Sequence, residues 1–350
     1  MSTMDYGPGD IEVRKVQLTG GATYTVSLPK TWVDQMKLKP RDGIRIDWRP
    51  SGALRLTPLQ LLQNTEKVVT INLENIPDES LHDHLMGAYL AGVNNIRVVY
   101  KSDIDRLLHK QIRRFLKNTR GFEMMNETDR RIDLISLISA AEMPLISSIN
   151  RMYSLLTSVT RDIISISDGL EIEVLNDVDE KESEVDALLY LVERQVSIAL
   201  DSHLVASALK LARNQAVEYS NLATSLERMM DHATHMAKLI TTANNVKLDR
   251  GKSPITQLIV WQEAIKKLMI NIRTRNSFEI EEARHELKKA QIQISQYEDE
   301  LIEGRKMTKH DLLLFRLSES VRRLCAYARD FGEVLLNLKL HDEIISKNKS

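Results

Sequence analysis

The spacing of apolar positions changes twice along the chain, and each change marks a different kind of structure. Tyr24, Val26 and Leu28 alternate with Thr23, Thr25 and Ser27, and Ile44, Ile46 and Trp48 alternate with Arg45, Asp47 and Arg49. Leu54 and Leu56 extend the same period of two, which is the signature of strands with opposed faces. Gly20-Gly21, Arg41-Asp42-Gly43 and Pro50-Ser51-Gly52 supply the turns, and Pro29 opens one short helix over 31–38. From about residue 66 strand and helix patterns alternate. Strands are predicted at 68–73 and 95–100, helices at 79–91 and 104–117, and a closing hairpin at 122–126 and 132–138. This βαβαββ order predicts a small α/β domain with its helices on one sheet face. Ala91-Gly92 and Thr119-Arg120-Gly121 read as the helix C-caps.

Beyond 142 no strand pattern survives. Helical periodicity runs over 149–166, 174–200 and 204–239, stops at a stretch containing Asn244, Asn245, Gly251 and Pro254, and resumes over 258–272, 280–301 and 312–338. Two sets of three helices, each about a hundred residues long, read as an internal repeat. The expected fold class is multidomain α+β: a β module at 1–60, a small α/β domain at 61–140, and all-α three-helix repeats at 141–247 and 248–350. A module as small as the first buries little apolar area alone, so a homodimer is expected through it.

Composition narrows the function classes. Aromatics make up 5% of the 350 residues, in keeping with helices packed on helices. Forty-eight basic residues against 49 acidic ones leave a net charge of −1, so nucleic-acid contact would have to come from a local patch. The single cysteine, Cys325, excludes an intrachain disulfide and fits a reducing compartment. No apolar run approaches the roughly 20 residues that span a bilayer. The first ten residues lack a signal-peptide core, so a cytoplasmic location without membrane insertion is expected. Nucleophile–base pairs, phosphate-binding glycine loops and zinc-protease motifs are absent from the sequence, which favours a regulator over an enzyme.

Two sets of residues carry candidate chemistry. Arg14, Lys15, Lys30 and Arg45, with Lys37, Lys39, Arg41 and Arg49, make the first module basic, the minimum requirement for phosphate contacts to DNA. Glu182 and Asp186, and again Glu227 and Asp231, stand four residues apart, so each pair projects from one helical face. If the two helices pack antiparallel, four carboxylates converge and call for cations or protons. Glu193 extends the stripe, and His232 and His235 lie beside it. The same spacing is also common on solvated helices.

The stretch Val13-Arg14-Lys15-Val16 through Ser27-Leu28-Pro29-Lys30-Thr31-Trp32 to Asp42-Gly43 resembles the SpoVT/AbrB family. Members of that family form interlaced, swapped β-hairpin dimers and commonly bind DNA. The short helix here reads Val33-Asp34-Gln35, where DNA-binding relatives usually carry arginines. The helical region resembles the PhoU family. Leu226-Glu227-Arg228-Met229-Met230-Asp231-His232-Ala233 is close to its E-R-x-x-D-H-A signature, and Glu182-Ser183-Glu184-Val185-Asp186 matches its acidic element.

The combination looks like an archaeal arrangement. It implies a cytoplasmic regulator of phosphate uptake and homeostasis. It also implies a divalent or trivalent metal (Mg²⁺, Mn²⁺, iron or Zn²⁺) at Glu182, Asp186, Glu227 and Asp231. The DNA-binding reading has two rivals: an adaptor acting on a phosphate transporter ATPase or a sensor kinase, and a metal-storing or polyphosphate-linked helical protein. Ser320 to Asp330 align with Ser225 to His235 without a gap, placing Arg322 opposite Glu227 and Ala326 opposite Asp231. The second repeat is therefore expected to lack an equivalent acidic cluster.

Overall fold

The computed structural model describes residues 11–48, 53–61, 66–101, 106–139, 143–209, 211–243, 247–303 and 307–347. The sequence predictions for residues 1–10, Arg49, the Pro50-Ser51-Gly52 turn, the first two residues of the helix expected from residue 104, and the break residues Asn244 and Asn245 lie outside the described residues. The chain divides into two compact units, one built on the residues up to 65 and one on 66–344.

In the first unit two antiparallel hairpins flank one short helix. Strands β1 (Gln17–Thr19) and β2 (Thr23–Thr25) pair with Leu18 opposite Tyr24. Gly20 and Gly21 make the turn between them, both in the left-handed region where a side chain would be strained. Helix α1 (Lys30–Gln35) starts after Pro29, and β3 (Ile44–Trp48) pairs with β4 (Leu54–Pro58), Ile46 facing Leu56. The alternation is present, but it does not separate a buried face from a wet one. Ile11, Val13, Val16, Leu18, Tyr24, Val26, Ile46 and Leu54 are all exposed. Among the described residues neither hydrophobic core of the molecule draws on a position before Val69.

The second unit begins with the α/β layer. Strands β5 (Val68–Asn72), β6 (Asn95–Val99), β7 (Phe122–Thr128) and β8 (Arg131–Ser136) form one sheet in the order β5-β6-β8-β7. The β5–β6 pair is parallel and the other two pairs are antiparallel. Ile96 and Val98 sit opposite Leu134 and Ile132, and these four bury one face against α2 (Leu81–Leu90) and α3 (Arg106–Asn118). Tyr89, Phe115 and Phe122 close this core edge to face, with ring centroids 5.5–6.3 Å apart.

The helices are α4 (Leu145–Ser167), α5 (Val178–Asp201), α6 (His203–Ala208), α7 (Arg213–Thr242), α8 (Ile255–Thr274), α9 (Ser277–Ile302) and α10 (Lys309–Lys347). One continuous core runs through both sets of three long helices. Trp261 is fully buried within it, its indole N–H donating to the Leu324 carbonyl at 3.1 Å. The predicted helix over 204–239 is interrupted between α6 and α7, although no glycine or proline stands there. Ala212 is extended, and the Gln215 side-chain oxygen accepts from its backbone N–H at 2.9 Å. The Gln215 amide nitrogen in turn donates to Asp342 on α10. The break is therefore fixed by a cap and a tertiary contact, which apolar periodicity does not record.

The α/β layer is fastened to α5. Arg194 is 4% exposed and places its guanidinium over the Tyr89 and Phe122 rings, 4.9 and 5.2 Å from their centroids. The same group donates to the Tyr89 carbonyl at 2.7 Å. Gly92, left-handed after α2, lets Ile198 of α5 come so close that a Cβ would lie 2.5 Å from its side chain.

Candidate functional site

Helices α5 and α7 pack along their length, so acidic residues on their facing stripes are brought side by side. Each stripe is set by an apolar neighbour row. Val185, Leu188, Leu189 and Val192 bury α5, and Leu226, Met229, Met230 and Ala233 bury α7, leaving Asp186, Glu227 and Asp231 half-buried at the seam. One carboxylate oxygen from each of these three lies within 4.8 Å of the others.

Mutual repulsion and lost hydration have the expected electrostatic result. Burial, then Glu182 and Asp231, push Asp186 up to about 6 from its ordinary 3.8. Burial, then Asp231 and Asp186, push Glu227 up to about 7 from 4.5, against the opposing pull of Arg228, whose Nε is 3.6 Å away. Both shifts run towards neutral pH, so Asp186 and Glu227 hold their protons more tightly than ordinary carboxylates, and a cation at the trio would displace them.

The remaining residues expected at this site are placed differently. Glu182 stands outside the trio and pairs with Lys238 at 3.2 Å, although its charge still reaches Asp186. Glu193 is raised by its own burial and lies outside the set of three. His232 stacks on Tyr327 of α10 with ring centroids 5.9 Å apart, and burial lowers its proton affinity. These two rings occupy equivalent positions in the aligned repeats, so the repeats touch through like positions.

Sequence reasoning missed Tyr190, one turn beyond Asp186 on α5. It packs against the α/β core, and Asp186, Glu227 and Glu193 all act, after burial, to raise its proton affinity. The i,i+4 spacing from Asp186 is the signal that could have found it. Lys238, the cation that satisfies Glu182, was missed as well and had no such signal.

In the second repeat Arg322, at the Glu227 position, pairs with Glu298 at 3.2 Å. Ala326 stands at the Asp231 position. The two rows share their burial pattern: Leu226, Met229, Met230 and Ala233 are matched by Val321, Leu324, Cys325 and Ala328, all buried.

Residues 149–240 match the family model described as the PhoU domain. That span runs from residue 149 within α4 to residue 240 within α7 and contains all three carboxylates of the trio. A PhoU domain points to the regulation of phosphate homeostasis, and proteins with it are regulators rather than enzymes. No curated protein matches the chain. Among the described residues no helix, in the PhoU domain or outside it, is long and apolar enough to cross a membrane.

The basic residues of the first unit are less uniform than their sequence suggests. Arg14 forms an ion pair with Glu12, and Arg45 pairs with Asp47 at 2.7 Å. Lys15 and Lys30 are exposed and have no ion pair among the described residues. Asp34, on α1, is exposed in the same unit.

Proposed function

We propose that the protein is a DNA-binding regulator of phosphate homeostasis whose PhoU domain senses its state through a cation held at the carboxylate trio. The observation that carries the reading is the coincidence of the PhoU match with a packed seam of three carboxylates. Oxygen ligands at this spacing suit a hard ion such as Mg²⁺, Mn²⁺ or iron, and the raised proton affinities of Asp186 and Glu227 mark groups that a cation would relieve. Asp186, Glu227 and Asp231 would hold it, with Glu182, whose charge reaches Asp186, as a further carboxylate. The bound ion supplies positive charge that ties α5 to α7.

In this reading the first unit adopts the swapped-hairpin dimer of the AbrB type. Its exposed apolar strand residues support that, because a second copy would cover what this chain leaves in water. Lys15 and Lys30, like Lys37, Lys39 and Arg41, are exposed without an ion pair among the described residues and can meet phosphates. The test is fluorescence anisotropy of duplexes from upstream of phosphate-transport genes, at several salt concentrations, with and without phosphate and divalent metal. Sequence-selective binding that weakens with salt and drops in Lys30→Glu is the expected result. Binding that ignores sequence in every condition would overturn it.

The pairing of Arg14 and Arg45 within the chain, with Asp34 nearby in sequence on α1, favours a second reading. There the first unit only dimerises, and the PhoU domain acts as an adaptor on a phosphate-transport protein, the kind of partner typical of PhoU proteins. Capture of the transporter's ATPase by a protein that binds no DNA is the outcome that selects it.

A further inference from the structure

Helix α3 carries five cations that neither reading uses. Its 13 residues include Arg106, Lys110, Arg113, Arg114 and Lys117 and no aspartate or glutamate, in a chain whose 48 bases are nearly matched by 49 acids. Leu108, Ile112 and Phe115 fix its inner face in the α/β core. Arg106, Lys110, Arg113 and Lys117 are all exposed on the opposite side. Steps of four, three and four residues keep them in one stripe, which at the helical rise extends about 16 Å with cations roughly 6 Å apart. Arg114 flanks it.

None of the five has an ion pair among the described residues, whereas cations on α5, α7 and α8 do. Lys181 pairs with Asp162 and Asp177, Lys238 with Asp179 and Glu182, and Lys267 with Glu282 and Glu286. Like charges three and four apart on a helix repel, so the stripe weakens its own helix until counter-charge arrives.

We propose that this stripe binds the phosphate backbone of duplex DNA as a contact additional to the first unit. The inference rests on the DNA-binding reading above. Three features select the occupant. The exposed face has no aromatic ring on which the bases of a single strand could stack. The helix has already committed its apolar face to the core, and Leu107, 37% exposed, is the one large hydrophobic it shows, so a lipid surface finds nothing to insert. Cations spaced roughly 6 Å apart along one helix face match a run of backbone phosphates, and phosphate contacts carry no sequence information, so the contact proposed is independent of sequence.

The test uses the full chain and an arbitrary duplex of about 30 base pairs, titrated between 50 and 200 mM salt. Losing three phosphate contacts in Lys110→Gln/Arg113→Gln/Lys117→Gln should lower the slope of log K against log salt by about 2.7, with affinity at least tenfold weaker at 100 mM salt. The single Lys117→Gln, chosen in case the triple variant folds poorly, should lower the slope by about 0.9. Lys30→Glu runs in parallel. An unchanged slope in the stripe variants, with Lys30→Glu impaired, overturns the stripe and leaves the DNA-binding reading standing. Wild-type protein that binds no duplex overturns that reading and the stripe together. Stripe variants that lose binding to phosphatidylserine vesicles or to long-chain polyphosphate, but not to DNA, reassign the stripe and overturn the proposal.

Discussion

The two helical repeats differ in what they hold at equivalent positions, and the difference separates packing from chemistry. Leu226, Met229, Met230 and Ala233 on α7 and Val321, Leu324, Cys325 and Ala328 on α10 occupy the same buried row. Beside that row, one residue on, the first repeat has Glu227 and Asp231, and the second has Arg322 and Ala326. The buried row must fill a close-packed core, so it accepts only apolar exchanges of similar volume. The seam positions face partial solvent and tolerate any charge that finds a partner. In the first repeat the partners are other carboxylates, which raises their proton affinity. In the second, Glu298 meets a guanidinium. One scaffold thus carries an unsatisfied anionic seam on one side and a satisfied ion pair on the other.

The largest effect should come from what the repeats share. Trp261→Ala removes the largest fully buried side chain, together with its hydrogen bond to the carbonyl of Leu324. The expected loss is about 3–5 kcal/mol in chemical denaturation. Because one core spans both repeats, a single transition should shift as a whole. Two transitions, only one of them displaced, would show that the repeats fold independently and break the comparison at its base.

Next in size is the ion pair of the second repeat. Glu298 is 9% exposed, and Arg322→Leu leaves it with the Ser318 hydroxyl as a remaining donor. The expected cost is about 2 kcal/mol. Glu298→Leu added to Arg322→Leu should recover most of that, because the pair stabilises less than its breakage costs. A double variant as weak as the single one would mean that the pair is more than a satisfied seam.

The contrast also marks how far the sequence could be read. The α/β strands and helices lie close to their predicted places, because period-two runs bounded by turns and helices ending at Gly92 and Gly121 are local signals. Three of the expected carboxylates meet, because i,i+4 spacing and helix pairing together determine which stripes face. What stayed hidden depends on distant residues. The break before Arg213 is held by Gln215 and Asp342, the pairing of Glu182 needs Lys238, and the docking of the α/β layer hangs on Arg194. None of these follows from a neighbour in sequence. In the first unit the alternation around Tyr24 located a strand, but it gave no hint that its apolar positions stay exposed within one chain.

The smallest effect tests the seam of the first repeat and carries an opposite sign. Glu227 titrates at about 7 in the folded protein against an ordinary 4.5, so between those values the folded state holds more protons than the unfolded one. Without metal, stability should therefore fall as pH rises from about 4.5 to 7, with the penalty fully present above 7. Solvent screening across a half-open seam reduces that penalty to about 1–2 kcal/mol. Glu227→Gln should accordingly stabilise the protein at pH 8 by about that amount and flatten the pH profile of its thermal midpoint, while Arg322→Gln leaves the slope unchanged. Mn²⁺ at about ten times its dissociation constant should add about 1.4 kcal/mol to the wild type. It should add little to Glu227→Gln, and the gain should shrink as pH drops below 7, where protons compete for the same oxygens. Equal Mn²⁺ stabilisation of both proteins at pH 8 would place the cation elsewhere and make the seam a proton-holding contact only.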